Sequence, residues 1–174
     1  MRLYDQLKYF IKQHSTYSND LVGANAVKKN STILNIQNKF NFSASDMCSN
    51  QETINTIVKQ IIKKDKSRRY YIGKKNENIK KVNRKVYRYE CFFTRKIRIV
   101  PNAKNSFDFY IENIHLGQIP EDLNIDIKNH LETGIMTTFA YINGGPYKYY
   151  DKNSQSVCEE DEAFDLNIYI QFSG

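Results

Sequence analysis

The stretch from Lys96 to Leu116, KIRIVPNAKNSFDFYIENIHL, decides the fold class. Its apolar positions are mostly aromatic or β-branched, and such side chains suit a pleated, half-buried strand better than a helix. The same bias runs through Arg69–Ile72, Val86–Phe93, Lys96–Val100 and Phe107–Leu116, so the chain past Lys66 reads as β-rich. Pro120-Glu121-Asp122 then opens a helix to about Glu132, with Leu123, Ile127 and Leu131 four apart and acids in the first turn, where the helix dipole favours them. Gly134 stops it. Ile135–Ile142 reads as a strand, Asn143-Gly144-Gly145-Pro146 as a turn, and Phe164–Phe172 as a last alternating strand. Many short strands and one crossing helix predict an α+β fold: a small, mostly antiparallel, closed or partly closed β-barrel, since closure removes exposed sheet edges.

Upstream of that region, Leu3, Leu7, Phe10 and Ile11 predict a short amphipathic helix over residues 3–14. Ile33, Leu34, Ile36, Phe40 and Phe42 are spaced closer to alternation, which suggests a strand or hairpin over residues 31–42. Ser49-Asn50-Gln51-Glu52 fits a capping box, and Ile54, Ile57, Val58, Ile61 and Ile62 line one face behind it, so residues 50–65 form a helix. The expected organisation is a helical N-terminal extension over 1–66 and a barrel over 67–174.

At 174 residues with 40% apolar and 26% charged side chains, the chain is long and apolar enough for one folded core, which excludes disorder throughout. Its net charge of +7 conceals a division. Residues 59–104 hold 17 basic and 3 acidic side chains, whereas residues 105–174 hold 3 and 12. A strongly basic region therefore faces or flanks an acidic one, and an anionic partner is expected for the first. Cys48, Cys91 and Cys158 are odd in number and form no C-x-x-C pair, so neither a disulfide framework nor a zinc ribbon is suggested. With no continuous apolar signal core near Met1 and no run approaching a membrane span, a reduced, cytoplasmic setting is the expectation.

The basic region also interleaves aromatics. Arg68 and Arg69 run into Tyr70-Tyr71, and Lys74, Lys75, Arg95, Lys96 and Arg98 follow with Tyr87, Tyr89, Phe92 and Phe93 among them. Single-strand binders combine cations that follow phosphates with aromatic faces that stack bases. Lysine-rich surfaces also serve simply to solubilise, and alternating tyrosines often pack half-buried on a strand. His14, His115 and His130 are scattered, no nucleophile or phosphate-loop motif stands out, and no catalytic residue, metal or cofactor is expected. Glu159-Glu160-Asp161-Glu162 reads as a solvated loop or as a charge that keeps nucleic acid off one face.

Over about residues 67–174 the chain resembles the HIRAN domain family. The likeness lies in Val100-Pro101, Asn105-Ser106-Phe107-Asp108, Ile114-His115-Leu116-Gly117-Gln118-Ile119-Pro120 followed by the helix, Gly144-Gly145-Pro146-Tyr147-Lys148, and Arg69-Tyr70-Tyr71-Ile72-Gly73. Ser106 and Phe107 replace the family's Pro and Tyr. The resemblance implies an OB-like barrel that grips the free 3′ end of single-stranded DNA, with Tyr70, Tyr71 and Phe107 stacking bases and Asp108 meeting the terminal hydroxyl. Asp108 has a second reading as a cap of its own backbone turn, and Lys148 as either a phosphate contact or a residue placed by the glycine turn. The functional expectation is a non-enzymatic nucleic-acid-binding module. The alternative is a phage or mobile-element interaction protein that inhibits a host nucleic-acid enzyme in the manner of an anti-CRISPR protein, an origin suggested by a composition rich in Lys, Asn, Ile and Tyr.

Overall fold

The computed structural model describes residues 36–48, 50–66, 68–103, 106–121, 127–130 and 135–173. The chain divides into two units, Met1–Ile33 and Leu34–Gly174, and every described residue belongs to the second. The helix expected over 3–14 lies outside the described residues.

Alternating apolar residues build the four-stranded sheet. Its strands are β1 (Ile36–Ser43), β10 (Asp165–Ser173), β7 (Ile135–Asn143) and β3 (Phe93–Thr94), in that order. Pairing of β10 with β7 puts Leu166 opposite Ile142 and Ile168 opposite Ala140, and all four are buried. A second sheet runs β2 (Val86–Tyr87), β8 (Tyr147–Asp151), β9 (Ser156–Glu160), and a third runs β4 (Ile97–Pro101), β5 (Phe107–Ile111), β6 (Ile114–Gln118). Every pair in these ladders is antiparallel.

Two short helices and one longer one accompany the sheets: α1 (Ala44–Met47), α2 (Gln51–Lys64) and α3 (Asn76–Ile79). α2 forms where the isoleucine spacing predicts it, but its cap is displaced by one residue, because the Asn50 side chain accepts the Glu52 N–H at 2.9 Å. Ile54, Ile57, Val58 and Ile61 are buried beside Phe109, Ile111 and Ile168 in one hydrophobic cluster. Residues 36–64, expected in a separate extension, thus supply an edge strand and a core helix to the same packed unit. Of the helix expected after Pro120, Glu121 and residues 127–130 are described and helical, with Ile127 fully buried.

A closed barrel is not found among the described residues; the three sheets stay open. β2 and β3 end after two residues each, and α2 touches both β6 and β10, so a helix joins the apolar faces of two sheets in place of a further ladder. Between β7 and β8, Gly144 and Gly145 adopt φ of 73° and 75°, and a Cβ on Gly144 would meet the Ala163 carbonyl oxygen at 2.1 Å. Only glycine fits both the left-handed backbone and that approach. Among the described residues no helix is long and apolar enough to cross a membrane.

Candidate nucleic-acid interface

The strand expected at Arg69–Ile72 is instead a tight 3-10 turn, Tyr70–Gly73, and its backbone is left-handed at Tyr71 (φ 53°), Ile72 (φ 56°) and Gly73 (φ 71°). Tyr, Tyr and Ile favour strands, so the turn is imposed from elsewhere. The Tyr71 N–H donates to the Arg88 carbonyl at 3.0 Å, and its hydroxyl donates to Glu159 at 2.6 Å. Tyr70 stacks on Phe92 with ring centres 5.8 Å apart and planes within 8°, while the Arg88 guanidinium lies 4.8 Å from its centre. The run Val86–Phe93 is also not one strand. It breaks into β2, a turn at 88–91 and β3, with the Phe92 N–H closing the turn onto the Tyr89 carbonyl at 2.8 Å.

Glu159–Glu162, expected as a solvated loop, ends β9 and binds back onto the basic segment and β8. Glu159 takes the Tyr71 hydroxyl and pairs with Lys148 at 3.7 Å. Glu160 takes the hydroxyls of Tyr147 at 2.5 Å and Tyr149 at 2.7 Å, and Glu162 takes Tyr87 at 2.6 Å and Lys85 at 2.7 Å. Hydrogen bonds to the charged form hold both carboxyls below their ordinary range, with Tyr147 the main cause for Glu160 and Lys85 for Glu162. The phenols move the other way. Tyr149 is pushed up to about 12 chiefly by Glu160, and Tyr71 and Tyr87 reach about 12 through burial and then their glutamates.

Beside this network lies a cleft of about 590 Å³ between the 80–85 segment and the β8–β9 hairpin. Its cations are Lys80, Lys81, Arg84, Lys85 and Lys152, and Tyr147, Tyr149 and Tyr150 form much of the rest of the wall, with Glu160 at one side. Ile79 and Val86, both fully buried, anchor the two ends of the 80–85 segment. Arg84 is committed to Glu90 through contacts of 3.0 and 2.8 Å, and Lys85 to Glu162. Lys80, Lys81 and Lys152 are exposed and form no ion pair among the described residues. The ammonium groups are donors to an anion, the hydroxyls of Tyr147 and Tyr149 are already given to Glu160, and the tyrosine rings supply planar walls.

The residues singled out from sequence fall into separate places. Tyr70, Tyr71 and Lys148 come together, since the Lys148 ammonium lies 4.8 Å from the Tyr71 ring centre, but their contacts are internal. Phe107 is 7% exposed in the core, so it offers no face to a base, which corrects that expectation. Asp108, on a different sheet from Lys148, accepts from the Asn102 amide at 3.2 Å and faces His115 at 3.7 Å. Among the described residues the side-chain partners of Asp108 are Asn102 and His115, and those of Tyr70 and Tyr71 are Phe92, Tyr89, Arg88, Lys148 and Glu159, so the two groups make no contact in common. Arg68, Arg69 and Lys75 are exposed and Lys74 is partly exposed around the left-handed turn. Arg95, Lys96 and Arg98 are exposed beside β3 and on β4, with the Arg98 guanidinium 5.1 Å from the Tyr110 ring. Sequence reasoning missed Tyr149, Tyr150 and Lys152 because the β8–β9 hairpin was not read. The polar run Asp151-Lys152-Asn153-Ser154-Gln155 between two β-rich segments was its signal.

No protein family, curated protein or solved structure was found to match this chain.

Proposed function

We propose that this protein is a non-enzymatic nucleic-acid-binding module that seats phosphates in the cleft between the 80–85 segment and the β8–β9 hairpin. One observation carries the reading. Lys80, Lys81 and Lys152 border a cleft walled by tyrosines and have no carboxylate partner among the described residues, while Arg84 and Lys85 beside them do. Cations left uncompensated around a concavity raise the local concentration of a polyanion and release its counterions on binding. Single-stranded or end-containing DNA is the proposed ligand. In this reading the unit is a distant relative of the HIRAN domain whose tyrosine pair has turned to internal contacts and whose binding has moved to the cleft.

A salt series with a labelled oligonucleotide tests this. Single-strand affinity should fall steeply with salt, and Lys80→Ala/Lys81→Ala should weaken binding for all sequences alike and reduce the slope of log K against log salt by roughly 1 to 1.5. A slope that the double variant leaves unchanged rejects the cleft. Absence of binding to any probe at low salt rejects the function and turns the question to the inhibitor alternative, for which a pull-down from nuclease-treated host lysate should yield a stoichiometric protein partner.

A further inference from the structure

The contacts that tie acids to the basic segment leave Arg88 out. Arg88 lies in the turn at 88–91, outside the lining of the cleft. The acid two residues on, Glu90, gives both oxygens to Arg84 and accepts the Tyr87 N–H, while Glu159 is engaged by Tyr71 and Lys148. Among the described residues the Arg88 guanidinium forms no hydrogen bond and no ion pair. Its Nε is buried without a partner, whereas its two Nη nitrogens, equally unbonded, are not enclosed.

The side chain is nevertheless held in place. Its backbone N–H donates to the Pro146 carbonyl at 2.7 Å, and its carbonyl accepts the Tyr71 N–H at 3.0 Å. The guanidinium carbon lies 4.8 Å from the Tyr70 ring centre and 5.5 Å from that of Tyr89. Both rings pack on the buried Phe92, Tyr70 stacked at 5.8 Å and Tyr89 edge-on at 5.4 Å, so the core fixes them. Contact with rings uses the charge of a guanidinium and leaves its donors free. A charged donor shielded from water without an acceptor is costly, and a purely structural arginine ordinarily offsets that cost through a carboxylate or carbonyl. Here the root is enclosed by rings and the tip is open, with two parallel Nη donors already oriented for two oxygens of one anion.

The surroundings select the anion. Arg68, Arg69 and Lys75 are exposed and Lys74 is partly exposed around the Tyr70–Gly73 turn, and none is ion-paired among the described residues. Cations repeated along a turn suit a polyanion whose charges repeat better than they suit a single carboxylate.

We infer that the Arg88 guanidinium is a preformed seat for a backbone phosphodiester, a second phosphate site outside the cleft. The inference rests on the nucleic-acid reading above and deepens it: the cleft offers flexible ammonium groups, and Arg88 offers a rigid fork. It also gives the internal contacts of Tyr70 and Tyr89 a use, since they hold that fork still.

Fluorescence anisotropy with labelled dT12 across a salt series separates the fork from its charge. Arg88→Lys keeps the charge and loses the planar pair of donors, so dT12 affinity should fall about fivefold to tenfold with the salt slope unchanged. Arg88→Met loses both, and the slope of log K against log salt should drop by about 0.7, one phosphate contact on a single strand. On the wild-type protein, phenylglyoxal should modify Arg88 and dT12 should protect it, read by mass spectrometry of the peptide that carries it. Wild-type affinity and slope in both Arg88 variants, with circular dichroism confirming the fold, or equal modification with and without dT12, overturns the seat and leaves the cleft standing. Wild-type protein that does not bind dT12 removes the reading and the seat together, and Arg88-dependent binding of polyglutamate in its place assigns the guanidinium to an acidic protein partner instead.

Discussion

The β5–β6 and β8–β9 hairpins are built from strands of five residues each and are held by different forces. β5 turns Phe107, Phe109 and Ile111 into the core. Its turn residue Glu112, 5% exposed, accepts the Thr94 hydroxyl at 2.6 Å and pairs with Lys64 of α2. On β8 only Tyr147 is buried, and the hairpin is tied down by the phenols of Tyr71 and Tyr87 and by Lys85, which meet Glu159 of β9 and Glu162 just after it. Apolar burial is nearly indifferent to pH and salt, whereas phenol–carboxylate and ion-pair contacts are not. The hairpin that lines the cleft is therefore the one whose attachment responds to the solution around it.

Substitutions should separate the two hairpins in order of size. Phe109→Ala removes a fully buried ring from the centre of the cluster and should cost about 3–5 kcal/mol in a denaturant titration. A loss comparable to that of a surface residue would mean that β5 does not anchor the core. Glu112→Gln keeps the shape of the turn but weakens its bonds to Lys64 and Thr94. Because Lys64 is largely exposed, the expected loss is only about 1–2 kcal/mol. Burial alone would raise the Glu112 carboxyl, but the Lys64 and Thr94 bonds outweigh it and hold the group low. Its contribution, like those of Glu160 and Glu162, is present above the ordinary carboxyl value of 4.5 and is lost as pH falls below it.

Tyr149→Phe should change stability least, and titration reveals it. Tyr71, Tyr87 and Tyr149 are raised from 10 to about 12, so the folded protein keeps these protons longer than the unfolded chain does. Their contribution is full below pH 10 and is lost as pH rises through about 12. An ultraviolet phenolate titration should show a late-ionising group, and Tyr149→Phe should remove one tyrosine from it. If Tyr149 ionises with the ordinary phenols, the bond to Glu160 is not formed in solution.

Local periodicity made part of this legible. α2, β7, β10 and the Asn143–Pro146 turn stand where spacing and glycine chemistry put them, since each is specified by residues within its own span. The Tyr70–Gly73 turn is specified by Arg88 and Glu159, far away in sequence, so β-propensity misread it. The charge division was readable, but its consequence was not. Strands β8 and β9 bring the acidic run back against Lys85, Tyr87 and Tyr71, so the field of the basic segment comes from the cations this pairing leaves over. Composition cannot say which those are. Phe139 and Tyr169 were visible as aromatics in alternating strands, but only register places one beside the other.

Ile72 and Tyr71 hold a backbone hand that side chains with a Cβ resist by roughly 1–2 kcal/mol per residue. A bond within the turn, from the Lys74 N–H to the Tyr71 carbonyl at 2.9 Å, closes it, and the Arg88 carbonyl and the Glu159 carboxylate hold it from outside; the second belongs to the acid run that borders the cleft. The turn is thus a spring held by a catch. Anything that draws Glu159 away from Tyr71 lets the segment relax toward ordinary right-handed or extended backbone, so local unfolding has its easiest starting point within reach of whatever binds beside it.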